Sequence, residues 1–384
     1  MDFDWSPDQL RLKAEVVEFA QNALAKDLNQ RDRDSVFSRD DWKLCADFGI
    51  QGIAVSESYK SDGRAPQDIL TSMLAMEGLG YGCRDNGLTF GLNAQMWTVQ
   101  LPIQHHGTDF LKARFLPKMC SGEWIGAHAM TERDFGSDAF GMQMHAKKCD
   151  GGYLLNGTKT LITFGPIADV ALVFATIDPK LGKWGITAFL VERDFAGYEA
   201  NSVFEKMGLR TVPMGEITLT DCFVPEQNRL GPEGAGASIS SSSLEYERCC
   251  ILASQLGAME RQLEETIDFA KTRKQFQKPI GKFQSVSNRI ADMKVRLEAA
   301  RLLLYKVAWL KSQGRSAMME AAILKLFLSE QFVESSFDAV RIHGGRGYLS
   351  ETGIERDLRD ALGGVLYAGT SDIQRNIIAG MLGL

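Results

Sequence analysis

The sequence predicts an α+β protein of three consecutive units: helical, then β, then helical. Two observations carry this reading. Apolar residues recur three and four positions apart up to about residue 120, and again from about Gly236 onward, which is the period of an amphipathic helix. Between about Ser121 and Val224 the apolar runs are short, alternating or β-branched, and Gly and Pro punctuate them, as in strands. The expected domains are 1–120, N-terminal and helical; 121–228, central and all-β; and 229–384, C-terminal and helical.

The first helix opens on a capping box. Ser6 precedes Pro7, and Gln9 follows three residues on, so each residue satisfies a free N–H of the other. Leu10, Leu12, Val16, Val17 and Phe19 give this helix an apolar face. The stretches Asp68–Met76 and Phe110–Leu116 read as further helices. In the central unit, Tyr153-Leu154-Leu155, the turn pair Asn156-Gly157 and the run Thr158–Thr163 predict a hairpin. Val170–Ala175 and Ile186–Val191 are buried-strand runs, and Glu216–Thr220 alternates. In the last unit, Leu252, Leu256, Met259, Leu263 and Ile267 form one helical stripe. Val286, Ile290, Met293, Leu297, Ala300 and Leu304 form a second, and a third helix is expected over about Ala317–Val340. Packed together, these make an antiparallel bundle. Gly78-Leu79-Gly80-Tyr81-Gly82 follows a helical stretch and lacks the third glycine of a dinucleotide fingerprint. It reads as a helix terminus and loop, and no Rossmann site is expected.

Composition bounds the function. A chain of 384 residues, 45% hydrophobic and 24% charged, is an ordinary soluble globular protein of two or three domains. A formal net charge of -6 argues against a nucleic-acid role. No apolar run has the length of a membrane span. The acidic start Met1-Asp2-Phe3-Asp4-Trp5 has neither a secretory nor a transit pattern, so a cytoplasmic location is expected. The 7 cysteines include no Cys-x-x-Cys pair and read as reduced, buried thiols. His105 and His106 are adjacent, a poor spacing for one metal ion, and no metal is expected.

Two runs carry chemistry. One is Ala129-Met130-Thr131-Glu132-Arg133-Asp134-Phe135-Gly136-Ser137-Asp138. The other is Gly344-Gly345-Arg346-Gly347-Tyr348, followed by Tyr367-Ala368-Gly369-Thr370-Ser371. In this order they resemble the two signatures of the acyl-CoA dehydrogenase family, and the resemblance extends from about Ser6 to the C-terminus. It implies the fold of that family: an N-terminal helical domain, a central β-barrel or sandwich domain and a C-terminal four-helix bundle. It also implies FAD, α,β-dehydrogenation of an acyl thioester, and a homotetramer. In such enzymes a carboxylate takes the α proton and flavin N5 takes the β hydride. Donors hold the charge that develops on the thioester oxygen.

The family places its base at one of two positions. The first, before Gly-Thr-Ser, is Ala368 here; it has no proton acceptor, but its backbone N–H remains as an oxyanion donor. The second lies before an arginine in the helix after the β unit, and here it holds Glu247-Arg248. The resemblance therefore makes Glu247 the base and Arg248 the residue that fixes it or its field. This placement is similar to that of the isovaleryl-CoA and long-chain acyl-CoA branch. Read without the resemblance, Glu247 would be a solvated helix carboxylate paired with Arg248 or Lys271. Glu245, two residues away, points to a different helix face.

The same resemblance assigns flavin contacts. Met130 and Thr131 match residues at the pyrimidine end of the ring, Ser137 a serine near the substrate, and Thr163 the threonine beside N5. Leu161 stands where a tryptophan often covers the flavin, and Phe164 where an asparagine follows. Arg273, Phe276 and Gly345 match the site that reaches the pyrophosphate and adenine of FAD in a neighbouring subunit. Thr370 and Asp372 match positions near the adenosine, although Thr370-Ser371 also reads as a helix cap. Arg341 replaces a glutamine at the adenine end and, as a cation, suits a phosphate.

The substrate stays open between an acyl-CoA and a group tethered to a carrier protein. Tyr81–Gly87 and Asn93–Trp97 look similar to a branch acting on carrier-bound acyl or aminoacyl groups, prolyl being one example. Electrons leave to an electron-transfer flavoprotein or to dioxygen, and Leu161, smaller than tryptophan, bears on oxygen access. A flavin monooxygenase is a rival that the retention of Glu247 opposes. A non-catalytic flavin scaffold is another that the intact cofactor motifs oppose.

Overall fold

The chain, as a computed structural model, is described over residues 4–60, 65–200 and 202–384, so Met1–Phe3 of the acidic start lie outside the described residues. Seven helices come first: α1 (Pro7–Ala23), α2 (Leu28–Asp34), α3 (Arg39–Phe48), α4 (Ile69–Gly82), α5 (Asn86–Gln95), α6 (Leu101–His106) and α7 (Asp109–Cys120). Eight strands follow: β1 (Gly126–Ala129), β2 (His145–Cys149), β3 (Gly152–Thr163), β4 (Val170–Thr176), β5 (Ile186–Glu192), β6 (Tyr198–Glu199), β7 (Met214–Pro225) and β8 (Arg229–Leu230). The long α8 (Gly236–Thr272) leads to a small hairpin, β9 (Lys274–Gln275) and β10 (Lys278–Pro279). The chain ends in α9 (Gln284–Ser312), α10 (Met318–His343), α11 (Ile354–Gly364) and α12 (Ser371–Met381).

The capping box forms as expected. The Gln9 N–H donates to Ser6 Oγ at 3.2 Å, and the Ser6 N–H donates to Gln9 Oε1 at 3.0 Å. Ser38, Asp68, Asp85, Thr108 and Thr370 cap α3, α4, α5, α7 and α12 in the same way, each side-chain oxygen taking an N–H of the first turn.

The sheet order is β6-β7-β3-β2-β4-β5-β8, with β1 parallel to β4. β4 and β5 are buried along their whole length, which explains their unbroken apolar runs. The strand around Asn156-Gly157 departs from the expected hairpin. β3 runs straight through this pair, and the turn back to β2 lies at Asp150-Gly151. Asn156-Gly157 instead makes a bulge against β7, where the register shifts. Asn156 Nδ2 donates to Asp221 Oδ1 at 3.0 Å, and the Asp221 N–H donates back to Asn156 Oδ1 at 2.8 Å. A second shift, between Lys159 and Ile162, lifts Leu161 out of the ladder.

Gly78–Gly82 form the C-terminal end of α4, so the expected helix terminus is there, while the expected loop is helical. The helix crosses α8 here, backbone on backbone. A Cβ on Gly80 would run into the Ser254 carbonyl, and one on Gly257 into the Glu77 carbonyl. One apolar core continues from α1 through the sheet to α8, α9 and α10. Of the cysteines, six are buried, Cys149 is half-buried, and none is in a disulfide. Among the described residues, no helix is long and apolar enough to cross a membrane.

Candidate active site

A cavity of about 710 Å³ opens where the sheet, α5, α8 and the loop after α11 meet. That volume is typical of a small-molecule site. Its sheet side is held by a buried ion pair. Lys159, fully buried on β3, donates to Glu132 Oε1 at 2.9 Å and to the Met130 carbonyl at 2.9 Å. Glu132 also takes the N–H groups of Gln143 at 2.6 Å and Met144 at 2.9 Å. Burial alone would raise the Glu132 pKa; the Lys159 ammonium and these two N–H groups overcome it and hold the carboxyl below its usual range. The Thr160 N–H donates to the Thr131 carbonyl at 2.9 Å. Met130 and Thr131 are thereby fixed on the cavity wall. Lys159 is a site residue that sequence reasoning missed. The available signal was a lysine at a core-facing position of a strand, with a glutamate in the neighbouring motif.

Leu161 and Thr163 line the same wall. Leu161 sits at φ 57°, a left-handed backbone that costs a non-glycine residue about 1–2 kcal/mol, and its side chain faces the cavity. His128, on β1, lines the cavity as well, and burial, with the charge of Lys159, lowers its pKa to about 4, so the imidazole is neutral.

The helical side supplies the carboxyl. Glu247 and Ile251, one turn apart on α8, both line the cavity. Glu247 is half-buried, and it lies deep in the protein with its free surface on the cavity. Burial pushes its pKa up to about 7, against the pull of Arg248 and Lys325. Such a value suits a general base at neutral pH. Glu245 serves elsewhere: it takes Lys311 Nζ at 2.8 Å and the Ala317 N–H at 3.2 Å.

Ala368 closes the opposite wall, between α11 and α12. It has φ 55° and Gly369 has φ 84°. Gln374 Nε2 donates to the carbonyls of Ala368 at 3.0 Å and Gly369 at 2.9 Å, fixing this strained loop. Among the described residues, no acceptor meets the Ala368 N–H. The Phe90 and Tyr367 rings, centroids 4.6 Å apart, complete an apolar end. Glu247, Ala368, Met130, Thr131, Ser137, Leu161, Thr163 and Thr370 thus come together from four parts of the chain. The arrangement sets the Glu247 carboxyl and the free Ala368 N–H, with several hydroxyls, around one cavity.

Three family models together span nearly the whole chain: acyl-CoA dehydrogenase N-terminal domain over residues 6–123, middle domain over 127–222, and C-terminal domain over 234–383. The chain belongs to the acyl-CoA dehydrogenase family. A relative from Pseudomonas fluorescens, an L-prolyl-[peptidyl-carrier protein] dehydrogenase, is 42% identical over 380 residues, 99% of each chain. The solved structure of the prolyl acyl carrier protein oxidase AnaB is 45% identical and superposes with a TM-score of 0.97, over 99% of this chain and 100% of that one. PigA with FAD and proline is 40% identical, with a TM-score of 0.96 over 100% of both chains.

The remaining residues expected from the resemblance do not line the cavity. Arg248 is buried next to Glu247 in the chain, and its Nε has no partner among the described residues. Arg273 is exposed at the end of α8. Phe276 is 89% exposed at the tip of the β9–β10 hairpin, where it and Gln277 have φ 49° and 67°. Gly345 is exposed, with no atom within 4 Å of a Cβ placed on it. Arg341 lies over the Phe337 ring at 4.1 Å and 3.7 Å from Asp338. Asp372 is exposed and pairs with Arg375 at 3.2 Å, while Thr370 caps α12 as it lines the cavity.

Proposed function

We propose that this protein is an FAD-dependent dehydrogenase of a thioester carried on a carrier protein, a prolyl thioester first of all. The observation that carries the reading is Glu247, a deep carboxyl with a pKa of about 7, lining one cavity with Ala368, whose N–H is free. The carrier-bound prolyl substrate is supported by full-length relatives at 40–45% identity that act on such groups. The residues present fit FAD. Met130, Thr131, Ser137, Leu161 and Thr163 would hold the flavin ring, and Gly136 leaves open space beside them. When bound, FAD supplies the hydride acceptor. Glu247 takes the proton from the carbon α to the thioester carbonyl. The Ala368 N–H donates to the carbonyl oxygen as negative charge builds on it. Arg248 sets the field around Glu247.

We place the domain limits at 1–120, 121–228 and 229–384. Phe276, Arg273, Gly345, Arg341 and Asp372 are read as contacts to FAD held in a neighbouring copy, in a homotetramer. A large aromatic side chain at the exposed tip of a turn suits contact with another subunit. The protein is read as cytoplasmic, with dioxygen or an electron-transfer flavoprotein as acceptor.

The test is anaerobic bleaching of the bound flavin. A prolyl thioester on its carrier protein should bleach it fastest, ahead of prolyl-CoA and isovaleryl-CoA. Equal bleaching by a CoA thioester with none from the carrier form would move the reading to an acyl-CoA dehydrogenase.

A further inference from the structure

Lys325 is fully buried on α10, and among the described residues its Nζ has no hydrogen-bond partner. An ammonium in that state is costly, and few proteins keep one without a use. Its surroundings follow from the packing of α8 on α10. Gln262 Nε2 donates to Ser336 Oγ at 3.0 Å, which aligns residue 262 with residue 336. Seven residues earlier on each helix, Gln255 and Ser329 both come within 3.4 Å of a Cβ placed on Gly364. The two helices therefore run parallel in heptad step. One more step pairs Arg248 with Ala322. Lys325 lies less than one turn beyond Ala322, opposite Ile251. Helical side chains lean toward their own N-terminus, so the Lys325 stem reaches back toward the level of Glu247 and Arg248.

We propose that Lys325 is a positioning residue for Glu247: a buried, unneutralised ammonium that, with Arg248, keeps the carboxyl in its proton-accepting form. The other charged groups nearby are committed. Glu245 on α8 is tied to Lys311 of α9 at 2.8 Å. Glu330 on α10 is tied to Arg375 of α12 at 2.6 Å. Asp360 on α11 takes the Leu209 N–H at 2.6 Å. Tyr367 receives a hydrogen bond from Gln255 at 2.6 Å, and burial, with the charge of Glu247, raises its pKa and keeps it neutral. Glu247 is thus the acid that the two cations face. The electrostatics agree: Arg248 and Lys325 both favour ionised Glu247, and burial pushes the Lys325 pKa down to about 8. A surface lysine would exert this pull through water and lose most of it. This inference rests on Glu247 being the base.

The experiment compares wild type with Lys325→Met, similar in length and uncharged, and with Lys325→Arg. The readout is the infrared carboxyl band of Glu247 titrated in the FAD-loaded protein without substrate, with Glu247→Gln to assign the band. Lys325→Met should move the Glu247 midpoint upward, while Lys325→Arg should keep it near the wild-type value. The pH profile of anaerobic flavin reduction should move in parallel. At a pH below the midpoint the rate falls about tenfold where the midpoint moves by one pH unit. A Glu247 midpoint unchanged in a folded Lys325→Met protein overturns the proposal. If Lys325→Met does not fold, Lys325→Gln takes its place: a raised Glu247 midpoint supports the proposal and an unchanged one overturns it. Because the titration needs no substrate, a failed dehydrogenase assay would leave its outcome separate.

Discussion

Glu247 meets two opposed demands. A base must hold a proton loosely enough to act at neutral pH, and burial makes its charged form expensive. The pKa of about 7 is the compromise. It also has a consequence for stability. The folded protein binds this proton more tightly than the unfolded chain, where glutamate titrates near 4.3. No penalty is felt below that value; stability then falls as pH rises, and the full penalty is reached above about 7. On the order of 3–4 kcal/mol is involved. Glu247→Gln should therefore melt higher than wild type at pH 8, with the gap closing toward pH 4. Equal melting at both values, by calorimetry, would count against a buried, charged Glu247. At this scale the sequence was informative where a motif fixed a position. Glu247 was separable from Glu245 by helical spacing alone, and the structure puts them on different faces. Lys159 and Lys325 were not legible, because a buried lysine looks like a solvated one until its helix or strand has neighbours.

Helices and strands were legible where periodicity was long. α8, α9 and α10 follow their apolar stripes, and β4 and β5 follow their continuous runs. The failures share a cause. Asn156-Gly157 and Gly78–Gly82 both use glycine for close approach or unusual backbone angles, and a sequence alone cannot say which partner requires it. At Asn156-Gly157 the partner is Asp221 across the sheet, so the pair becomes a bulge. At Gly80 and Gly257 the partner is the other helix of the α4–α8 crossing. Gly257→Ala should force these helices apart, at roughly 1–3 kcal/mol. Because α8 carries Glu247, the same change should slow flavin reduction. Chemical denaturation that returns wild-type stability would mean that the crossing is looser than described.

At the scale of the whole molecule, half of the expected flavin residues line one cavity while Arg273, Phe276, Gly345, Arg341 and Asp372 sit on the surface. A single copy of the chain gives these five no common role. In the proposed tetramer they would meet the distal half of FAD held by a neighbour, an arrangement that one chain alone would not assemble. Arg273→Ala should then weaken FAD retention, with the loss of one charge-assisted contact of about 1.5–3 kcal/mol. Flavin absorbance after gel filtration reads this directly. Full retention in the variant would remove Arg273 from the cofactor site, and a colourless wild-type monomer with no affinity for FAD would remove the site itself.

The central claim is that Glu247 takes the α proton of a thioester in this cavity. Stopped-flow reduction of the flavin by a carrier-bound prolyl thioester, in wild type and Glu247→Gln with matched FAD content, tests it most directly. Gln keeps the shape and cannot accept the proton, so the rate should fall by roughly 10²–10⁴-fold. A near-wild-type rate in the FAD-loaded variant would contradict the account.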